Sequence, residues 1–244
     1  MTTTVDVVGR SDMGEVAGGY LLSAIEASVS RHGRCRLGVA GGSSPSPVFR
    51  WLAQHLPGEL ARQTVVVTLD ERHLPADGDG PDGLRPEHNL RSLREHWIDR
   101  ASTPPQVLSM VRGGSVDEAC AEVAQEVEEM GGLDVVLLGL GPDGHVASLF
   151  PGHPGLEARG GCIAVSDSPK PPAERITLTM DFLAGADACV LVAAGSAKAG
   201  VLGRTMQGDL SVPVAQARPT GSWWWVLDPG AATELSPLLR GMTE

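Results

Sequence analysis

The 244-residue chain is poor in aromatics and in positive charge. Aromatics make up 4% of it, with a single Tyr, and 19 Lys and Arg stand against 30 Asp and Glu. The resulting net charge of −11 disfavours nucleic acid or an anionic membrane as partner, since both select basic surfaces. An anionic small molecule would have to be held by local cations against that global field. No apolar run approaches the roughly 20 residues of a membrane-spanning helix. The opening MTTTVDVVGRSD lacks the basic and apolar regions of a signal peptide. The four cysteines, Cys35, Cys120, Cys162 and Cys189, are widely spaced and form no C-x-x-C pair. Neither a zinc site nor a disulfide framework is expected from them. Three lie in or beside apolar runs and read as small core residues. The cytoplasm is the expected compartment.

Hydrophobic residues make up 42% of the chain, enough for a substantial core. Apolar runs predict strands at Arg36–Ala40, Val65–Leu69, Gln106–Met110, Val135–Leu138, Ile163–Val165, Ile176–Thr179, Val190–Ala193 and Trp223–Leu227. Helices are predicted at Asp12–Arg31, Pro47–His55, Glu87–Trp97, Val116–Met130 and Ala197–Met206, the last with Ser196 as N-cap. The alternation argues for a doubly wound α/β fold, with a mostly parallel sheet covered by helices on both faces. One compact domain over residues 1–244 is expected, without internal repeats. Trp223, Trp224 and Trp225 are expected to pack both faces of a late strand, and His32, His55 and His96 to lie at the surface.

The most informative stretch is Leu133–Pro151, LDVVLLGLGPDGHVASLFP. Its apolar run reads as a buried parallel strand. It then breaks into Gly139, Gly141 and Gly144 at the strand's carboxyl end, where ligands bind in open α/β sheets. Residues 139–144 satisfy the dinucleotide pattern G-x-G-x-x-G, but the chemistry opposes that reading. Asp143 would set a negative charge beside the pyrophosphate, and Pro142 removes an amide donor. Asp143 and His145 in a glycine loop suit proton transfer instead, because an imidazole titrates near neutrality.

Three further predicted strand tips carry polar residues. Gly41-Gly42-Ser43-Ser44-Pro45 precedes a helix and offers backbone amides and hydroxyls to an anion; it is not a Walker A loop. Asp70-Glu71-Arg72 ends a buried strand, and the forked guanidinium of Arg72 suits phosphate or carboxylate. Lys198 is placed in the first turn of a helix, where a cation opposes the helix dipole unless an anion compensates. The tips converge if their strands are parallel neighbours. The Gly-, Pro- and Asp-rich segment Pro75–Pro86 reads as an exposed loop, with an active-site flap as the alternative.

These motifs together resemble the 6-phosphogluconolactonase family from about Leu37 to Asp228. The residues that carry the resemblance are Gly41–Pro45, Asp70–Arg72, Asn89, Leu138–Pro151, Pro169–Pro172 with Arg175–Thr179, and Gly195 with Lys198. Glucosamine-6-phosphate deaminases are similar, but they carry a glutamate after Asp-Gly-His and a tyrosine after Asp-Glu. This chain has Val146–Pro151 without an acid, and Arg72. It departs from the lactonases at His88, where they often have serine, and in the length of the 75–86 loop.

The resemblance implies a Rossmann-like three-layer fold of the sugar-phosphate isomerase/deaminase type and hydrolysis of 6-phospho-D-glucono-1,5-lactone. It implies His145 as the base with Asp143 orienting it, and no cofactor or metal. Gly41, Gly42, Ser43, Ser44, Asp70, Arg72, Asn89, Gly144, Arg175 and Lys198 are implied on the substrate side. The expected partner is the sugar-phosphate lactone, and the expected state a monomer, with a dimer as the alternative. A deaminase-like enzyme or a non-catalytic sugar-phosphate sensor would be the other functions.

Overall fold

A computed structural model describes residues 2–235. Its strands are β1 (Thr2–Val7), β2 (Cys35–Val39), β3 (Thr64–Thr68), β4 (Asp70–Arg72), β5 (Gln106–Leu108), β6 (Val135–Gly139), β7 (Cys162–Val165), β8 (Arg175–Leu178), β9 (Ala188–Ala193) and β10 (Ser222–Leu227). The helices are α1 (Met13–His32), α2 (Ser46–His55), α3 (Gly58–Arg62), α4 (Asn89–His96), α5 (Val116–Met130), α6 (Met180–Ala184), α7 (Ala199–Met206) and α8 (Pro213–Gln216). Seven strands form a parallel sheet in the order β1-β10-β9-β6-β2-β3-β5. A small antiparallel sheet, β4-β8-β7, lies apart from it.

Side chains alternate across the main sheet because successive residues of a strand point to opposite faces. Leu37, Val39, Val135, Leu137 and Val190 join one core with residues of α1, α2 and α4. Val136, Leu138, Leu191, Trp223 and Trp225 join the other, with α5, α7 and the small sheet. Both faces are therefore covered, as the alternation of elements predicts. The Trp triplet divides as expected: Trp223 and Trp225 are buried on one face, and Trp224 stacks on Tyr20 of α1 at 5.0 Å. All four cysteines are buried free thiols, with the sulfurs of Cys120 and Cys162 3.8 Å apart.

Three features depart from the sequence reading. β1 is an edge strand paired with β10, and its sequence TTTVDV contains no apolar run to announce it. β7 and β8 leave the main sheet for the small one. Ser196 makes no cap hydrogen bond; residues 196–198 form a 3₁₀ turn, and Lys198 occupies the N-cap position of α7. The predicted α5 is matched end to end. Ser115 and Glu118 close a capping box at its start, and Gly131 ends it in the left-handed region at φ 83°.

The amino-terminal edge of the sheet is clamped by Arg36 of β2 and the buried Asp134 that precedes β6. The Asp134 carboxylate accepts from the Arg36 backbone amide at 2.7 Å, from Nε at 3.0 Å and from Nη2 at 2.5 Å. Removing one member of such a pair strands a half-buried charge. Asp134→Ala should therefore lower unfolding free energy by about 3–5 kcal/mol in urea titrations, and a loss within the scatter of surface mutants would refute the clamp.

Candidate active site

Connections leaving β2 run through α2 to β3 on one side, while those leaving β6 run to β9 and β10 on the other. The reversal opens a crevice between the carboxyl ends of β2 and β6, as expected at a switch point of a doubly wound sheet. The four predicted tips follow β3, β2, β6 and β9, which are consecutive in the sheet. They border a cleft of about 390 Å³. Gly41, Gly42, Ser43, Ser44, Asp70, Arg72, Asn89, His145, Arg175 and Lys198 all line it, together with Lys170. Asp143 stands behind His145, and the Gly144 carbonyl accepts from the Val214 amide.

The chain after β6 does not enter a helix; it turns through an isolated bridge between Val146 and Leu149. The glycine pattern at 139–144 thus has no helix N-terminus behind it and lacks the anion-binding half of a dinucleotide site. What the loop does instead is hold an imidazole. His145 Nδ1 lies 2.5 Å from Asp143 Oδ1. A carboxylate only accepts, so Nδ1 carries the hydrogen and Nε2 presents its lone pair. The ring lies 4.9 Å from that of Phe150. A Cβ on Gly141 would sit 2.0 Å from Nδ1, so only glycine leaves room for the imidazole there.

Lys170 brings its Nζ to 3.3 and 3.5 Å from the two ring nitrogens of His145 and to 4.0 Å from Asp143 Oδ1. Burial lowers the His145 pKa; Asp143 opposes the shift and the Lys170 charge adds to it. The imidazole is therefore neutral at lower pH than a free one. The Lys198 side chain makes no hydrogen bond or ion pair among the described residues, while its backbone amide donates to the Gly195 carbonyl. Burial first, and then the charge of Lys170, lowers its pKa. Two ammonium groups are thus held in one cleft.

Beneath these groups lies a buried scaffold. Asp70 accepts from Asn89 Nδ2 at 3.0 Å and from Ser148 Oγ at 2.7 Å. Arg175 reaches Asp70 at 3.7 Å and Ser148 Oγ at 3.3 Å, and donates to the carbonyls of Lys170, Pro171 and Pro172 at 2.9, 3.3 and 3.2 Å. All three of its nitrogens are engaged, so Arg175 buckles down the loop that carries Lys170. Gly41 belongs to the same assembly: a Cβ there would meet Asn89 Oδ1 at 1.9 Å. At the β9 tip, the Asp228 carboxylate accepts from the Gly195 amide at 2.8 Å and pairs with Arg10, fixing the turn before Lys198.

Glu71 does not line the cleft, and it makes no ion pair with Arg72 among the described residues. It is 1% exposed, and its carboxylate accepts from the amides of Asn89 at 2.7 Å and Leu90 at 2.8 Å, closing the start of α4. The guanidinium of Arg72 donates to the Glu87 carbonyl instead. The 75–86 loop is held at the surface by ion pairs. Asp77, Asp79 and Asp82 pair with Arg85, Arg91 and Arg94, Leu84 is buried, and no residue of the loop lines the cleft. Sequence reasoning assigned no role to Lys170, Ser148 or Asp228. Only Lys170 left a signal, as the one cation in a proline-rich stretch.

Fold and cleft define an open α/β protein with an oriented imidazole and a cluster of cations at its switch point. A sequence profile described as "Glucosamine-6-phosphate isomerases/6-phosphogluconolactonase" matches residues 9–225. The 6-phosphogluconolactonase of Rattus norvegicus is 37% identical over 218 residues, covering 84% of this chain and 82% of the relative. The crystal structure of a Thermotoga maritima 6-phosphogluconolactonase superposes with a TM-score of 0.81 at 23% identity, covering 93% of this chain and all of that one. A monomeric glucosamine-6-phosphate deaminase reaches 0.78 at 18% identity, covering 96% and 100%. The chain belongs to the glucosamine-6-phosphate isomerase/6-phosphogluconolactonase family, and is an enzyme of it. The fold is common to both branches and does not separate them.

Burial raises the Glu71 pKa to about 7, against the three amides that favour its anion. A carboxyl whose pKa is higher folded than unfolded binds more protons in the folded state between the two values, so its contribution to stability fades as pH climbs. The stability difference between the parent and a pH-insensitive Glu71→Gln variant should shift against the parent from about pH 4.5 to about 7 and flatten above. Denaturation midpoints across that range would show it; a constant difference would contradict the burial argument.

Proposed function

We propose that the protein hydrolyses 6-phospho-D-glucono-1,5-lactone to 6-phospho-D-gluconate, the lactonase step of the oxidative pentose phosphate pathway. The observation that carries this reading is the Asp143–His145 pair, which presents Nε2 to a cleft lined by Lys170 and Lys198. An activated ester needs a positioned water, a base and stabilisation of the developing oxyanion. His145 Nε2 takes the proton from water, and Asp143 holds the tautomer and stabilises the imidazolium that forms. Lys198 and the Gly42-Ser43-Ser44 turn hold the 6-phosphate, with Arg72 beside them. Lys170 keeps His145 neutral and supplies a cation near the reacting carbonyl.

The residues after the histidine favour hydrolysis over deamination. Val146, Leu149 and Phe150 are buried apolar groups, and the Ser148 hydroxyl is turned to Asp70. The segment thus offers no second carboxylate to His145. In a coupled assay, glucose-6-phosphate dehydrogenase would generate the lactone, and the protein should accelerate its loss above spontaneous hydrolysis. Release of ammonia from glucosamine 6-phosphate would instead assign the deaminase reaction, and ligand binding without turnover a sensor.

His145→Ala should lower kcat by about 10²–10⁴-fold with little change in KM; unchanged turnover would eliminate it as the base. Lys198→Ala should mainly raise KM, by roughly ten- to a hundredfold for a lost charge-assisted contact. Because His145 titrates below its ordinary value, the acid limb of kcat/KM should lie below that of a free imidazole. Lys170→Met should move that limb to higher pH, since it removes a charge that opposes protonation. A limb that stays put would exclude the electrostatic role given to Lys170.

A further inference from the structure

A second cavity of about 500 Å³ adjoins the cleft. It shares Gly42, Ser43 and Arg72 with the cleft and is completed by Arg50 of α2, His88 and His96. We propose that it is a second anion site, taking phosphate or a phosphate monoester in addition to, and coupled to, the anion of the cleft.

Four observations support this. None of its lining side chains is acidic, in a chain of net charge −11. The Arg50 guanidinium makes no hydrogen bond or ion pair among the described residues. Arg72 Nε is buried without a partner, while Nη1 donates to the Glu87 carbonyl. His88 Nδ1 accepts from the Arg85 amide at 2.8 Å, which places the ring hydrogen on Nε2. That buried Nε2–H makes no hydrogen bond, although the Leu74 carbonyl lies near it.

Guanidinium groups match the oxygens of phosphate in fork geometry, and Arg50 and Arg72 present two of them to one cavity. The volume admits a phosphate with an organic substituent. Arg72 lines both cavities, so an anion here draws on a group that also faces the catalytic cleft. Occupancy of either site must then alter affinity at the other by the same factor.

Calorimetric titration of the full chain with inorganic phosphate tests the site without any substrate, so its outcome is separate from that of the lactonase assay. The parent should show a binding event that Arg50→Ser weakens at least tenfold and Arg50→Lys largely restores. That event should persist in Lys198→Ala. Arg50 is exposed on α2 and stands outside the catalytic cleft; hydrolysis without phosphate should be unchanged in Arg50→Ser. Added phosphate should raise the lactone KM less in that variant than in the parent. The proposal is overturned if the parent takes up no phosphate in the millimolar range, or if Arg50→Ser titrates like the parent.

Discussion

The structure depends on one topological constraint, the reversal of connection direction between β2 and β6. Parallel strands need crossovers, and right-handed crossovers leaving two adjacent strands in opposite directions cannot cover the gap between them. That gap is where the backbone is free of sheet pairing. Gly41 and Gly42 after β2, and the 139–145 segment after β6, border it. β3 and β9, their outer neighbours, add Arg72 and Lys198 at the same height. The polar groups converge because the sheet order makes these strands consecutive, while the Arg36–Asp134 clamp secures the opposite edge.

The small antiparallel sheet converts this crevice into a site. After β3 the chain leaves the parallel sheet, and Asp70, Glu71 and Arg72 pair with Thr177, Ile176 and Arg175 of β8. This pairing carries the 170–172 loop to the cleft, where Arg175 holds three of its carbonyls. The buried carboxylates divide the labour. Asp70 joins β4 to Ser148 of the histidine loop, and Glu71 joins β4 to α4. Polar residues that look catalytic in the sequence are here structural, because each buried acid meets enough donors to replace water.

The main sheet was legible because its strands are nearly continuous apolar runs bounded by turn residues, and α5 because its capping box and terminal glycine are local signals. β1 was not, since an edge strand of Thr, Val and Asp buries too little to require an apolar pattern. The small sheet escaped for another reason. Its β4–β8 pairing joins residues some hundred positions apart, and nothing local distinguishes β8 from a strand of the main sheet. Within the site, the tip residues were readable as unusual polar groups after apolar runs. The different duties of Arg72, Arg175 and Lys170 were not, because a guanidinium's role is set by which acceptors surround it. Lys170 lies 25 residues beyond His145 in sequence, and only the fold places its ammonium beside the ring.

An acidic protein that handles an anion faces an electrostatic problem, which the cleft resolves locally. Burial, and then the charge of Lys170, disfavours the protonated form of Lys198, and the same two causes act on His145. An arriving phosphate relieves the mutual repulsion of the lysines, so part of the binding energy comes from cations already held together. In the hydrolysis proposed above, the Lys170 charge favours the unprotonated imidazole, which accepts a proton from water. When that proton arrives, the imidazolium stands beside Lys170 and is stabilised mainly by Asp143. The lactone oxygen is simultaneously becoming negative, and it is the group whose charge can offset both cations. The arrangement thus favours the state in which base protonation and oxyanion development occur together, which is the condition for stabilising the transition state more than the bound substrate.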